Sequence, residues 1–218
     1  MYEHLGPHFL FKRLFGGVTL ESMTKSEFLA LAIEHMIAEG MSIKLIAKNS
    51  VMCDGVATGG YCSSSGITVA TKRSDWFETF IHEYCHVLQD LDKTYKPKED
   101  DNWEYYDNWL LGKQSLSKKA VTQCTNAIRA NEMDCELRVI QLISKYNLPI
   151  NKERYIQKAN SYGLFYTVAA KYRSWYKGTA PGQIDELVDM MPTTFKKYWH
   201  RVPKKFEQIV KERCFKLA

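Results

Sequence analysis

Residues 67–92 read ITVATKRSDWFETFIHEYCHVLQDLD, and this stretch decides the fold. Ile67 to Thr71 is β-branched and strand-like. Ser74 or Asp75 then caps a helix expected over about 75–92. Its apolar positions Trp76, Phe77, Phe80, Ile81, Tyr84, Val87, Leu88 and Leu91 cover more than half the circumference. A helix patterned in that way is central to its domain, not peripheral.

Upstream, Thr24 and Glu27 form a capping box, followed at helical spacing by Phe28, Leu31, Ala32, His35 and Met36 until Gly40. Ser42 to Ala47 (SIKLIA) alternates like a strand, and residues 59–66 (GGYCSSSG) read as a Gly/Ser-rich connection. Downstream, Pro97, the acidic run Glu99 to Asp101 and many aromatics make 93–114 a loop followed by a short helix. A long helix is expected from Ser117 to about Tyr146, stopped at Asn147 to Pro149. A further aromatic-rich helix spans roughly 152–177, and Pro181, Pro192 and Pro203 punctuate three short helical segments. The fold class expected is α+β and mostly helical. It has a small N-terminal-side sheet whose edge strand, 67–71, precedes the central helix. Residues 1–150 would form the core, and 151–218 a helical subdomain packed on it with a basic end.

Composition bounds the function. The 218 residues are 45% hydrophobic and 25% charged, ordinary for a globular protein, with no low-complexity tract. The apolar run Phe9 to Phe15 is interrupted by Lys12 and Arg13, so no signal peptide is expected. No apolar run reaches the length of a membrane span. An intracellular, cytoplasmic protein with no membrane partner follows as the expectation. Its six cysteines then read as reduced thiols, with a Cys53–Cys62 pair as the alternative. The net charge of +5 concentrates near the end, where residues 193–218 carry eight Lys or Arg against Glu207 and Glu212. That bias suits a solvated surface or, alternatively, a nucleic-acid or acidic partner.

The chemistry lies in residues 82–86, HEYCH, an HExxH motif. Positions i and i+4 of a helix share a face, so the imidazoles of His82 and His86 can reach one cation. Glu83 is turned about 100° from His82, beside the metal face and not on it. One zinc ion per chain is the cofactor this predicts. Zinc lowers the pKa of water it holds towards about 7, and Glu83 is placed to accept the proton as general base.

Catalytic zinc takes a third protein ligand. In the long helix, Val121, Thr125, Ile128, Glu132, Cys135, Val139, Leu142 and Tyr146 form one apolar stripe, with Met133, Glu136, Ile140 and Ile143 beside it. Glu132 and Glu136 therefore sit on a face that should enter the core. An unpaired buried carboxylate costs several kcal/mol, and a cation removes that penalty.

Residues 131–136, NEMDCE, resemble the NExxx(D/E) element of the gluzincins, the thermolysin-like zinc peptidases. The resemblance implies a zincin-like core in which Glu132 is the third zinc ligand. It also implies that Glu136, a turn later, accepts a hydrogen bond from a ligating histidine. The likeness covers the strand at 67–71 and the two motif helices, about a third of the chain. The interval from His86 to Glu132 is longer than in thermolysin-like enzymes, and no downstream histidine matches the one that stabilises their transition state. The C-terminal half is similar to metallopeptidases encoded in phage genomes.

The expected function is a zinc metallopeptidase acting on a protein or peptide. The alternative is a nucleic-acid-associated or phage accessory protein with a structural or degenerate zinc site. Ile67, Thr68, Val69 and Ala70 are the candidate substrate-binding edge. An oxyanion stabiliser could come from Tyr155, Tyr162, Tyr166, Tyr172, Arg173 or His200, with none singled out. Cys85 and His35 read as structural, and the acidic run at 99–101 as a solvated loop.

Overall fold

The computed structural model describes residues 22–53, 55–92, 102–177 and 179–216. The acidic run at 99–101 and the apolar run at 9–15 lie outside the described residues. The chain divides into two compact units, one of residues up to 93 with 141–150, the other of 94–140 with 151–218. This differs from a boundary at 150, because most of the long helix belongs with the C-terminal part.

Among the described residues, the first unit opens with helix α1 (Lys25–Ala38), whose capping box is formed on both sides by Thr24 and Glu27. Five strands follow: β1 (Ser42–Ile46), β2 (Val51–Cys53), β3 (Val56–Thr58), β4 (Gly60–Ser63) and β5 (Gly66–Ala70). Helix α2 (Trp76–Asp92) closes the series, within a residue of the span read from the sequence. The mostly helical α+β class is the one observed.

The sheet corrects one expectation. Strand β5 is not an edge but the centre of a three-stranded sheet ordered β1-β5-β4. It runs parallel to β1, from Ser42 opposite Gly66 to Ile46 opposite Ala70, and antiparallel to β4, from Gly60 opposite Val69 to Ser63 opposite Gly66. All five of its residues are buried. The cause is the stretch expected as a connection, which supplies β4 and folds back along β5. Two glycines permit this. A Cβ on Gly66, at φ +131°, would lie 1.9 Å from the Ser42 carbonyl oxygen, so only glycine lets β5 start against β1. A Cβ on Gly60 would meet Thr79 Cγ2 at 2.9 Å and Glu83 Cγ at 3.2 Å, so β4 approaches α2 closely only as glycine.

Phe28 of α1 organises the core of this unit. Its ring meets Phe77, Tyr84 and Tyr146 edge-on, at centroid distances of 6.1, 6.2 and 5.6 Å. Each such aromatic pair adds about 0.5–1.5 kcal/mol beyond area burial. Phe80 stacks on Tyr84, fully buried with it. These contacts seat α2 in the interior, as its apolar circumference requires.

The second unit contains α3 (Asn102–Leu110), residues 118–140 of α4 (Lys118–Lys145) and α5 (Lys152–Tyr172). Beyond them lie a 3-10 turn (Pro181–Gln183), α6 (Asp185–Asp189), α7 (Lys204–Ile209) and a π turn (Val210–Cys214). Helix α5 stops short of the expected residue 177. Arg173 adopts a left-handed conformation at φ 48°, donates from Nε to the Trp109 carbonyl at 2.7 Å and lays its guanidinium over the Trp109 ring. The short helical segments of the C-terminal part lie on either side of 192–203, where the chain runs as bends and irregular backbone. One apolar cluster joins Leu164, Phe165, Leu187, Phe206 and Val210, and a second joins Tyr106, Trp109, Ile128 and Tyr166. None of the described helices is long and apolar enough to cross a membrane. None of the six cysteines is joined in a disulfide, Cys53 and Cys62 included.

Candidate metal centre

Helix α2 places His82 and His86 on one face a turn apart, and their Nε2 atoms stand 3.2 Å from each other. The rings are nearly perpendicular, at 87°, with centroids 4.8 Å apart. Two metal–nitrogen bonds of about 2.0–2.1 Å meeting at a tetrahedral angle separate the nitrogens by about 3.3 Å. The separation of the donor pair therefore matches that of two ligands on one tetrahedral cation. The orientation is held from within the helix. Nδ1 of His86 donates to Oε1 of Gln89 at 2.8 Å, which leaves its Nε2 lone pair directed at the site. Gln89 is itself buried.

Glu83 is buried on the neighbouring face, its stem against Gly60 of β4. Cys62, on the same strand, is electrostatically coupled to it. Burial pushes the Cys62 thiol up to about 12, the Glu83 and Asp90 carboxylates push the same way, and His82 opposes them. Cys62 is thus a neutral thiol at physiological pH and a poor nucleophile. Partial burial also raises the Asp90 carboxyl, with His86 opposing.

The ligand atoms of His82, His86 and Cys135 all lie within 4.8 Å of one another, a group that could hold a metal ion. Two imidazoles and a thiolate make a donor set that suits zinc. Glu132, the third ligand expected from the resemblance, is not a member of that group; Cys135, three residues along the same helix, is. In the sequence Cys135 is marked only as one position of the apolar stripe of that helix.

The two glutamates of α4 have partners within their own unit. Tyr155 donates from its hydroxyl to Oε2 of buried Glu136 at 2.5 Å. Glu132 faces Tyr166, whose phenol is raised well above its ordinary range first by complete burial and then by that carboxylate. Of the tyrosines considered as oxyanion stabilisers, Tyr155 bonds Glu136, Tyr162 is partly buried against Phe165, Tyr166 is buried and Tyr172 bonds Glu207. Arg173 caps α5, and His200 is exposed. His35 is buried, its Nδ1 2.8 Å from the Tyr84 hydroxyl, and Cys85 is buried in α2. Ile67, Thr68, Val69 and Ala70 are not a substrate edge, because their backbone groups are paired on both sides. Gln89 was not foreseen, although its i+3 position after His86 on a helix marks it as a neighbour. No protein family matches the chain, and no curated protein or solved structure shows similarity to it.

Proposed function

We propose that this chain is a zinc-dependent peptidase whose centre is built on the HExxH face of α2. The observation that carries the proposal is the 3.2 Å approach of the His82 and His86 Nε2 atoms, with a buried Glu83 on the adjoining face. His82 and His86 hold the ion, and Gln89 fixes the His86 tautomer. Helix α4 supplies the third donor: Cys135, or the Glu132 that the gluzincin resemblance implies. Zinc, when bound, supplies a Lewis acid that acidifies water and polarises a carbonyl. Glu83 accepts a proton from the attacking water and passes it to the leaving amine. Its burial beside Gly60 keeps the carboxylate apart from bulk solvent and favours that exchange. Strand β4 closes one side of the sheet and is the place for an extended peptide to add in β-pairing.

Glu83→Gln tests the proposal. The variant keeps its fold and its zinc stoichiometry and loses roughly 100- to 10,000-fold in hydrolysis of an unfolded protein substrate. Equal turnover by wild type and variant, both loaded with zinc, overturns it. A structural zinc site would have no use for that carboxylate, so the same comparison separates the two kinds of site.

A further inference from the structure

The second unit carries a surface with no part in the metal chemistry. Residues 196–201 read KKYWHR, and all of them are exposed except Trp199, which packs against the apolar cluster around Phe206. The loop is held firmly. Buried Asn160 donates from Nδ2 to the carbonyls of Pro192 and Thr194, at 2.9 and 3.0 Å, and accepts from the Lys196 amide at 2.8 Å. On this braced loop Tyr198 stands 64% exposed, with the Lys197 ammonium 6.0 Å from its ring centroid. An aromatic side chain that open forgoes most of its own burial, so the loop displays the ring without using it for packing.

A second observation points to an anion. Arg129 of α4 is half-buried, yet its guanidinium donates only to neutral acceptors, Thr167 Oγ1 at 3.2 Å and Asn126 Oδ1 at 3.1 Å. Tyr198 is near enough to bear on its charge. The carboxylates of this unit that form described ion pairs are taken elsewhere: Asp134 by Arg138, Asp185 and Asp189 by Arg154, Glu186 by Arg213, and Glu207 by Lys171. Among the described residues, Arg129, Lys196, Lys197, Arg201 and Lys204 have no carboxylate partner. A desolvated guanidinium without a carboxylate partner, in the same unit as an exposed aromatic ring and several cations, suits a ligand with both phosphate and a flat ring.

We propose that this surface binds single-stranded nucleic acid, a base stacking on Tyr198 while Arg129, Lys196 and Lys197 take the flanking phosphates. Stacking platforms interleaved with cations bind single strands without reading sequence, and the aromatic contribution separates them from a merely basic surface. A duplex keeps its bases stacked inside and cannot offer one to Tyr198. The inference rests on residues of the second unit and stands or falls independently of the zinc reading.

The full-length chain is titrated against a fluorescent oligothymidylate of about 15 nucleotides, a duplex of the same length and inorganic polyphosphate, with anisotropy as the readout. The single strand binds more tightly than either competitor, with affinity falling steeply as salt rises. Tyr198→Ala weakens the single strand roughly tenfold and leaves polyphosphate binding unchanged, whereas Tyr198→Phe keeps wild-type affinity. Arg129→Gln and the pair Lys196→Gln, Lys197→Gln weaken both ligands and reduce the salt dependence. Melting curves of Tyr198→Ala match wild type, because the ring is exposed. Wild-type affinity in Tyr198→Ala, or polyphosphate or duplex binding as tightly as the single strand, overturns the proposal. If Arg129→Gln fails to fold, the exposed lysine pair and Tyr198 decide it alone. Repeating the titration after chelation leaves the affinities unchanged if the surface is separate from the metal centre.

Discussion

Gln89 Oε1 accepts a hydrogen bond from His86 Nδ1 at 2.8 Å, so the helix that presents the histidine also sets its tautomer. The partner is three residues on, on the same side of α2, and is buried. Gln89→Ala frees the ring to turn and to protonate on either nitrogen. Zinc affinity then falls about 10- to 100-fold, while Gln89→Glu, which still accepts the proton and raises the basicity of the imidazole, holds the metal at least as well as wild type. Competitive zinc titration checks this, and equal affinity in Gln89→Ala and wild type contradicts it.

The third donor is open to a direct comparison. Cys135 belongs to the group that could hold a metal ion, whereas Glu132 is the residue implied by the gluzincin resemblance. Cys135→Ser replaces a soft thiolate with a weak hydroxyl donor and is expected to purify largely zinc-free. Cobalt substituted into wild type is expected to give the intense near-ultraviolet band of thiolate ligation, and the variant to lack it. If Glu132→Ala is the zinc-free protein and Cys135→Ser keeps its metal, the carboxylate is the ligand and the resemblance holds in detail.

Glu136 and Tyr155 make a buried pair with a 2.5 Å hydrogen bond. Tyr155→Phe keeps the ring volume and takes away the donor. The remaining carboxylate loses a bond it cannot recover from water, at a cost of about 1–3 kcal/mol. Urea unfolding measures it, and the double variant Tyr155→Phe, Glu136→Gln recovers part of the loss if the pair is the cause.

His35 links stability to pH. Its burial lowers the imidazole below its ordinary value, with Glu39 opposing. The unfolded chain therefore takes up the proton first as pH falls, and stability declines from about pH 6.5 downward until the folded state also protonates. Above that range His35 is neutral in both states and contributes no slope. His35→Gln removes the titrating group, so its unfolding free energy changes less between about pH 7.5 and pH 5.5 than that of wild type. Identical slopes in the two proteins refute the assignment to His35.

Gly66→Ala tests the registry of the sheet. A methyl group there would overlap the Ser42 carbonyl oxygen at 1.9 Å and require φ +131° of an L-residue. Strand β5 cannot relax without leaving β1, and a loss of roughly 3 kcal/mol or more is expected, read as a lower denaturant midpoint. Gly40→Ala serves as the comparison. It also has positive φ, at +72°, but its methyl meets nothing within 4 Å, so it shows the conformational cost alone.

The helices were legible in the sequence because their signals are local. The Thr24–Glu27 capping box sits at the start of α1, and the i, i+4 spacing of His82 and His86 put both rings on one face of α2. Each depends on residues within about a turn of one another, which the order of the chain alone determines. The sheet was decided by tertiary structure. Residues 60–63 have the composition of a loop and become β4 only because β5 lies ready to pair with them and Gly60 lets them lie against Thr79 and Glu83. That pairing moves 67–70 from the edge to the centre, and no pattern within β5 itself distinguishes the two places. The environment of Cys62 and the bond from Tyr155 to Glu136 arise in the same way. Partners far apart in sequence meet by packing, and strand order and side-chain contacts record that packing, whereas helical periodicity records only the neighbours along the chain.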